Sequence, residues 1–178
     1  MEQVILVDES DLELGTMEKM EAHKKGVLHR AFSILIFNSK GEMLLQKRAG
    51  KKYHSAGLWT NACCSHPGPG ESMKEATSRK LRQEMGIQAE LRFAYKFSYY
   101  ANLENDLIEH ELDHVYIGFH DGAPQSNPDE VEAWRFIGMD ALRAEIVAAP
   151  HKFTYWFILI MKDLPAYTGS GSVWQANG

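Results

Sequence analysis

Side chains with three different chemical capacities sit together in Trp59-Thr60-Asn61-Ala62-Cys63-Cys64-Ser65-His66-Pro67. Cysteine is a nucleophile and an acid–base group, histidine ligates metals, and tryptophan offers a π face to cations. A second group lies downstream in Glu109-His110-Glu111-Leu112-Asp113-His114. If that segment is a strand, Glu109, Glu111 and Asp113 share one face. That face continues through Val115, Ile117 and Phe119 and reads as core-directed. The other carries His110, Leu112, His114, Tyr116, Gly118 and His120 and reads as wetter. Carboxylates on a core-directed face need compensation, because a buried unpaired charge is costly. A metal ion is one solution, and Arg or Lys partners are the other. His23, His29 and His66 add nitrogen donors. Three imidazoles with two carboxylates suit a divalent first-row metal, so the combination points to metal-assisted acid–base chemistry.

The chain that must position these groups has 178 residues, 44% apolar and 24% charged, which suits one globular domain with a real core. We expect that domain over 1–167 and a Gly/Ser-rich flexible tail over 168–178. A net charge of -5 argues against nucleic acid as a partner. The two cysteines are adjacent, so a bridge between them would close a strained ring, and free thiols fit a reducing compartment. The N-terminus lacks a signal-peptide pattern, and Trp156 to Met161 is too short to span a bilayer. These features predict a cytoplasmic protein with no membrane partner, as a monomer or weak homodimer.

Strands are expected at Val4–Val7, Leu28–Phe37, Glu42–Lys47, Leu91–Tyr100, Leu112–Phe119 and Val131–Ile137. Asn38-Ser39-Lys40-Gly41 reads as a hairpin turn. Met17 to His23 reads as one or two helical turns closed by Lys24-Lys25-Gly26. Ser72-Met73-Lys74-Glu75 is a capping-box sequence opening a helix that ends at Gly86. Further helices are expected at Asp140–Ala148 and after Pro150, the latter containing Phe153, Trp156, Phe157 and Ile160 at helical spacing. Ala49 to Gly70 reads as a loop too long to be idle. The class is α+β or an α/β sandwich with one mixed sheet.

The stretch Ser65-x5-Glu71-x7-Arg79-Lys80-Leu81-Arg82-Gln83-Glu84-Met85-Gly86-Ile87 resembles a Nudix box, G-x5-E-x7-R-E-U-x-E-E-x-G-U with U apolar. It departs from that pattern at Ser65, Lys80 and Gln83, and the last two replace acidic residues. A metal-dependent hydrolase needs those carboxylates. Trp59-Thr60-Asn61 with Cys64-x-His66-Pro67, then Glu109-x-Glu111, resembles the type 1 isopentenyl-diphosphate isomerases. Glu18-Lys19 with His23, Leu28 to Ser33 and Phe153-x-x-Trp156 extend the likeness over about residues 3 to 162.

The resemblance implies a Nudix-like α/β/α sandwich with a mixed sheet. It makes His23, His29, His66, Glu109 and Glu111 the ligands of one divalent metal, with Mn2+ or Mg2+ favoured and Zn2+ the alternative. Glu84, with the carbonyl of Cys64, would help hold Mg2+ on a substrate diphosphate. Lys19, Arg48, Lys52 and Lys80 would surround that diphosphate, although the family pattern carries Arg at the last position. Cys64 and Glu111 would be the catalytic pair, Tyr99 would support the glutamate, and Trp156 would face the reacting carbons. The substrate would be a small allylic or homoallylic diphosphate.

The implied reaction protonates an alkene at one carbon and deprotonates another. A free thiol titrates near about 8.5, so both of its forms would be accessible close to neutral pH. On that basis Glu111 with Tyr99 is the expected donor and Cys64 the expected base. Two rival readings remain: a hydrolase of nucleoside diphosphates, and a metal- or diphosphate-binding module without catalysis.

Overall fold

The structure is a computed structural model that describes residues 2–168, with side chains to 164. Its spine is strand β3, His29–Phe37, preceded by β1 (Gln3–Val7), β2 (Glu13–Glu18) and helix α1 (Lys19–Lys25). After it come β4 (Glu42–Arg48), β5 (Trp59–Thr60), β6 (Cys63–Ser65) and helix α2 (Met73–Met85). The remainder is β7 (Arg92–Asn102), β8 (Ile108–Phe119), β9 (Val131–Gly138), α3 (Met139–Ala148) and α4 (Tyr155–Thr168).

β3 runs parallel to β8 and antiparallel to β1, β4 and β6, so the sheet is mixed as expected. β7 pairs antiparallel with β8, and β9 with β4. β3 is apolar on both faces because both are covered. Phe32, Ile34 and Ile36 pack with Ala76, Leu81 and Met85 of α2. Leu35 and Phe37 pack with Trp156, Phe157 and Ile160 of α4. The result is the α/β/α sandwich.

Register decides what the α4-facing side of the sheet carries. His29 lies opposite Glu111, and Glu111 opposite Tyr99, giving one row across β3, β8 and β7. On β3's other flank Ser33 lies opposite Cys64. Farther along, the same face becomes Leu35, Val115 and Ile117, the start of the apolar core. One side of the sheet is thus polar at one end and closed by packing at the other.

The helix ends follow from local chemistry. The Ser72 capping box is present in both directions, and Gly86 closes α2 at φ +67°. A Cβ at Gly86 would lie 2.7 Å from the Gln125 carbonyl oxygen, so only glycine fits. In the Nudix-like segment, Arg79 donates to Glu71 through Nε at 2.6 Å and through Nη2 at 2.7 Å, bracing the loop before α2.

Several expectations need correction. The helix expected from Met17 starts at Lys19, because Met17 and Glu18 pair with β1. β2 has no apolar alternation to announce it and is held by backbone pairing at a sheet edge. β8 starts at Ile108, so Glu109 and Glu111 lie inside the strand. Phe119 is 47% exposed at the strand's end, whereas Leu112 and His114 on the supposedly wet face are buried. The long loop holds β5 and β6, whose backbones pair with β4 and β3. Phe153 precedes α4 in extended conformation instead of lying within it. The expected tail begins inside α4 at Thr168, and 169–178 lie outside the described residues.

Candidate active site

His23 comes from α1, His29 from the start of β3, and His66 follows β6. All three are buried. His23 Nδ1 lies 2.8 Å from the Lys19 carbonyl, and His29 Nδ1 lies 2.8 Å from the Val27 carbonyl. A carbonyl only accepts, so each Nδ1 carries the proton and each neutral ring leaves Nε2 as a lone pair. Those two Nε2 atoms have no hydrogen-bond partner among the described residues. They aim at Glu111 Oε1 from 4.0 and 3.5 Å, and His66 Nε2 approaches the same oxygen at 2.9 Å. For His23 and His29, lone pairs facing a carboxylate without an intervening proton call for a cation. His23, His29, His66 and Glu111 therefore form a cluster able to hold a metal ion. Burial lowers the pKa of His23, and pushes that of His66 down to about 4, which keeps both rings in the ligating form.

Glu109 was expected in the same set. It stands one step aside, in an overlapping group with His23 and His54. Its Oε2 lies 3.0 Å from the Tyr99 hydroxyl, which is 2.7 Å from Glu111 Oε2. Burial, and then the charge on Glu111, raise the Glu109 pKa well above the usual carboxylate range. Burial also works against ionisation of Glu111, but the adjacent His29 and His66 imidazoles outweigh it and hold that pKa well below the range. The pKa values of the two acids straddling Tyr99 are thus driven apart, Glu109 upward and Glu111 downward.

Cys64 faces the same cavity from β6. Its thiol is 3.0 Å from Asn61 Oδ1, and the Trp156 indole N–H donates to Sγ at 2.9 Å. Burial first, then the charge of Asp113, push the thiol up to about 12. That shift works against the expectation that both forms are accessible near neutral pH and favours the protonated thiol. Asp113 receives a hydrogen bond from Ser33 Oγ at 2.7 Å, and burial with Glu111 raises its pKa to about 8. Cys63 points away, fully buried near Glu84. Both cysteines are free.

Lys19, Arg48, Lys52, Lys80 and Glu84 line the cavity together with Cys64, Glu111 and Trp156. Three of these cations are paired with carboxylates: Lys19 with Glu2, Lys52 with Glu130, and Lys80 with Glu84. Glu84 also accepts from Gln46 Nε2 at 3.1 Å. The Arg48 guanidinium sits 5.3 Å from the centre of the Trp156 ring, and its buried Nε lacks an acceptor among the described residues. A buried unsatisfied donor in a basic wall suits an anion.

Sequence reasoning missed Tyr53 and His54, both of which line the cavity. Their signal was the unusual length of the loop that carries them. Burial, and then the charge of Arg48, push the His54 ring down to about 3. Asn61 was seen only as part of a motif; here it holds the Cys64 thiol and donates to the carbonyls of Ile34 and Cys63.

The NUDIX domain model matches residues 27–157. An isopentenyl-diphosphate Delta-isomerase from Serratia proteamaculans is 52% identical over 165 residues, covering 93% of this chain and 92% of that protein. An isopentenyl-diphosphate Delta-isomerase 1 from Aromatoleum aromaticum is 55% identical over 155 residues, covering 87% and 88%. Among solved structures, a MutT protein from Methanosarcina mazei superposes with TM-score 0.66 over 82% of this chain and 96% of its own, at 18% identity. That likeness speaks for the fold alone.

Proposed function

The chain belongs to the Nudix family and, within it, to the isopentenyl-diphosphate Delta-isomerases, and from that membership we propose how its cavity works. It is an isomerase that interconverts isopentenyl and dimethylallyl diphosphate in isoprenoid precursor synthesis. One observation carries the mechanistic reading: Cys64, Glu111 and Trp156 share a single cavity with four basic side chains.

Moving the double bond adds a proton at one carbon and removes another two positions away. An alkene is a very weak base, so protonation is the difficult step, and a tertiary carbocation results. Trp156, buried and flanked by Phe153 and Phe157, excludes water that would trap the cation and offers π density to it. From the resting state, the Cys64 thiol holds a transferable proton and the Glu111 carboxylate, beneath the Tyr99 hydroxyl, can accept one. The reverse reaction exchanges these roles. This reverses the assignment expected from an unperturbed thiol, because burial and Asp113 disfavour the thiolate.

The His/Glu cluster would hold one divalent ion through His23, His29, His66 and Glu111, with Glu109 beside them. When bound, such an ion would supply positive charge where His23, His29, His66 and Glu111 meet. Its imidazole nitrogens suit a first-row ion such as Mn2+ better than Mg2+, with Zn2+ the alternative. Glu84 and the Cys64 carbonyl would hold Mg2+ on the diphosphate, while Arg48, Lys19, Lys52 and Lys80 neutralise the rest. Binding energy from that remote group holds a small hydrocarbon in register. The helix offers Glu84 where hydrolases use several carboxylates, and Lys80 and Gln83 stand in the other places. Among the described residues no helix is long and apolar enough to cross a membrane. The two unbridged thiols favour a cytoplasmic setting.

Incubation with isopentenyl diphosphate and Mg2+ in D2O tests the reading. Dimethylallyl diphosphate should form, with deuterium in its methyl group and no phosphate release. Phosphate without isomer, or neither product, would overturn it.

A further inference from the structure

Resting on the reading that the His/Glu cluster holds a divalent cation, we infer that His54 is a further ligand of that site, joined to it through Glu109 and His23. His54, His23 and Glu109 present donor atoms close enough to share one ion, and all three are buried. His54 Nε2 stands 3.4 Å from Glu109 Oε1. That is longer than a charge-assisted hydrogen bond, which runs about 2.7–2.9 Å. It does match two donors on one metal: ligands each about 2.1 Å from an ion lie roughly 3.0–3.4 Å apart at octahedral to tetrahedral angles. The His23 and His54 rings are stacked at 6.0 Å, so the two imidazoles approach the site side by side.

The surroundings of His54 hold it in place as a ligand's surroundings do. Its Nδ1 is 3.3 Å from Ser55 Oγ, and its carbonyl accepts from Arg48 Nη2 at 3.2 Å. Ser55 has φ +50°, a left-handed conformation that a serine seldom adopts, and its N–H is held by Glu104. Asn105 Nδ2 donates to the Tyr53 carbonyl at 3.2 Å, so the turn at 104–106 braces the loop on either side of His54. A constrained backbone in a long loop, delivering a buried ring beside a carboxylate, is costly unless the ring has a task. His54 also packs edge-on against Trp156 at 6.0 Å, so loss of activity on its removal would not by itself identify that task.

The decisive measurement therefore reads the metal. Full-length protein labelled with 15N-histidine is stripped with chelator and titrated with Zn2+. His54 ring nitrogens, assigned by their disappearance in His54→Phe, should shift at one equivalent together with those of His23, His29 and His66. His54→Phe, which keeps a ring but no donor, should weaken Co2+ binding about tenfold or more and alter the cobalt absorption spectrum. If His54→Phe does not fold, the wild-type spectrum decides by itself: four shifted imidazoles support the inference and three overturn it. An unmoved His54 resonance, with unchanged Co2+ affinity and spectrum in the variant, overturns the role of His54 while leaving the cluster intact. Failure of the wild-type protein to take up any metal would overturn both readings.

Discussion

The Tyr99 hydroxyl lies 2.7 Å from Glu111 Oε2 and 3.0 Å from Glu109 Oε2, so one phenol bridges the two buried acids of β8. Cross-strand register produces this contact, since Tyr99 pairs with Glu111 and Ala101 with Glu109. Among the described residues the Tyr99 hydroxyl bonds to Glu109 and Glu111 and to no histidine, so its influence on proton transfer and on metal retention can be separated.

Tyr99→Phe should lower kcat about 100-fold with little change in KM, the scale of a lost acid–base partner. Metal content should stay at the wild-type level. Steady-state kinetics with elemental analysis checks both. Wild-type kcat, or loss of the metal together with activity, would reject the bridging role.

The adjacent cysteines should be unequal. Cys64→Ala should abolish turnover, because the thiol facing Asn61 and Trp156 is the one in the cavity. Cys63→Ala should retain most activity, since that side chain is fully buried away from the cavity lining. Alkylation of the wild type should inactivate, and substrate should protect. Similar kinetics for the two single variants would remove Cys64 from the mechanism.

Glu84→Gln should raise the Mg2+ concentration needed for half-maximal rate and raise KM for the diphosphate about tenfold, while phosphate release stays undetectable. The carboxylate is tied to Lys80 at 3.1 Å and to Gln46 at 3.1 Å, so the amide keeps the shape and loses the charge. Mg2+ titrations of the rate, paired with a phosphate assay at saturating Mg2+, provide the check. Steady phosphate release from isopentenyl diphosphate by the wild type would revive hydrolysis as the activity.

Asp11 gives a pH signature remote from the cavity. It accepts from Arg30 Nε at 2.7 Å and Lys96 Nζ at 3.1 Å, and its Oδ2 is 2.8 Å from His114 Nε2. Burial opposes its ionisation, but these hydrogen bonds outweigh burial and lower its pKa below 3.8. A depressed carboxylate contributes stability that is present above its unfolded value and is lost as pH falls through the folded one. Asp11→Asn should therefore cost about 1–2 kcal/mol at pH 7, and the gap should close as pH drops below 3.8. Urea denaturation of both proteins at a series of pH values tests this. A gap independent of pH would assign the loss to packing.

Much of the site was legible because its chemistry is written in residue types. His23, His29, His66, Glu109, Glu111 and Cys64 are recognisable as donors before any fold is known, and the Ser72 capping box with Gly86 delimits α2 from local rules alone. Strands such as β2, β5 and β6 were not legible. They are short or polar, and only pairing with β1, β4 and β3 defines them. His54 was missed for a related reason: nothing within the loop indicates that its ring turns back toward Glu109.

The sequence by itself determined which atoms are available: the imidazoles, carboxylates and thiol, the family they belong to, and the absence of two acidic positions at Lys80 and Gln83. Tertiary structure alone decided their states and partners. Strand register set His29 beside Glu111 and Tyr99, and set Ser33 beside Cys64. Burial and the charge of Asp113 then raised the Cys64 thiol, while the adjacent His29 and His66 imidazoles lowered the pKa of Glu111. Proton affinity and metal convergence depend on distance and desolvation between residues far apart in the chain, and neither exists until the sheet has formed.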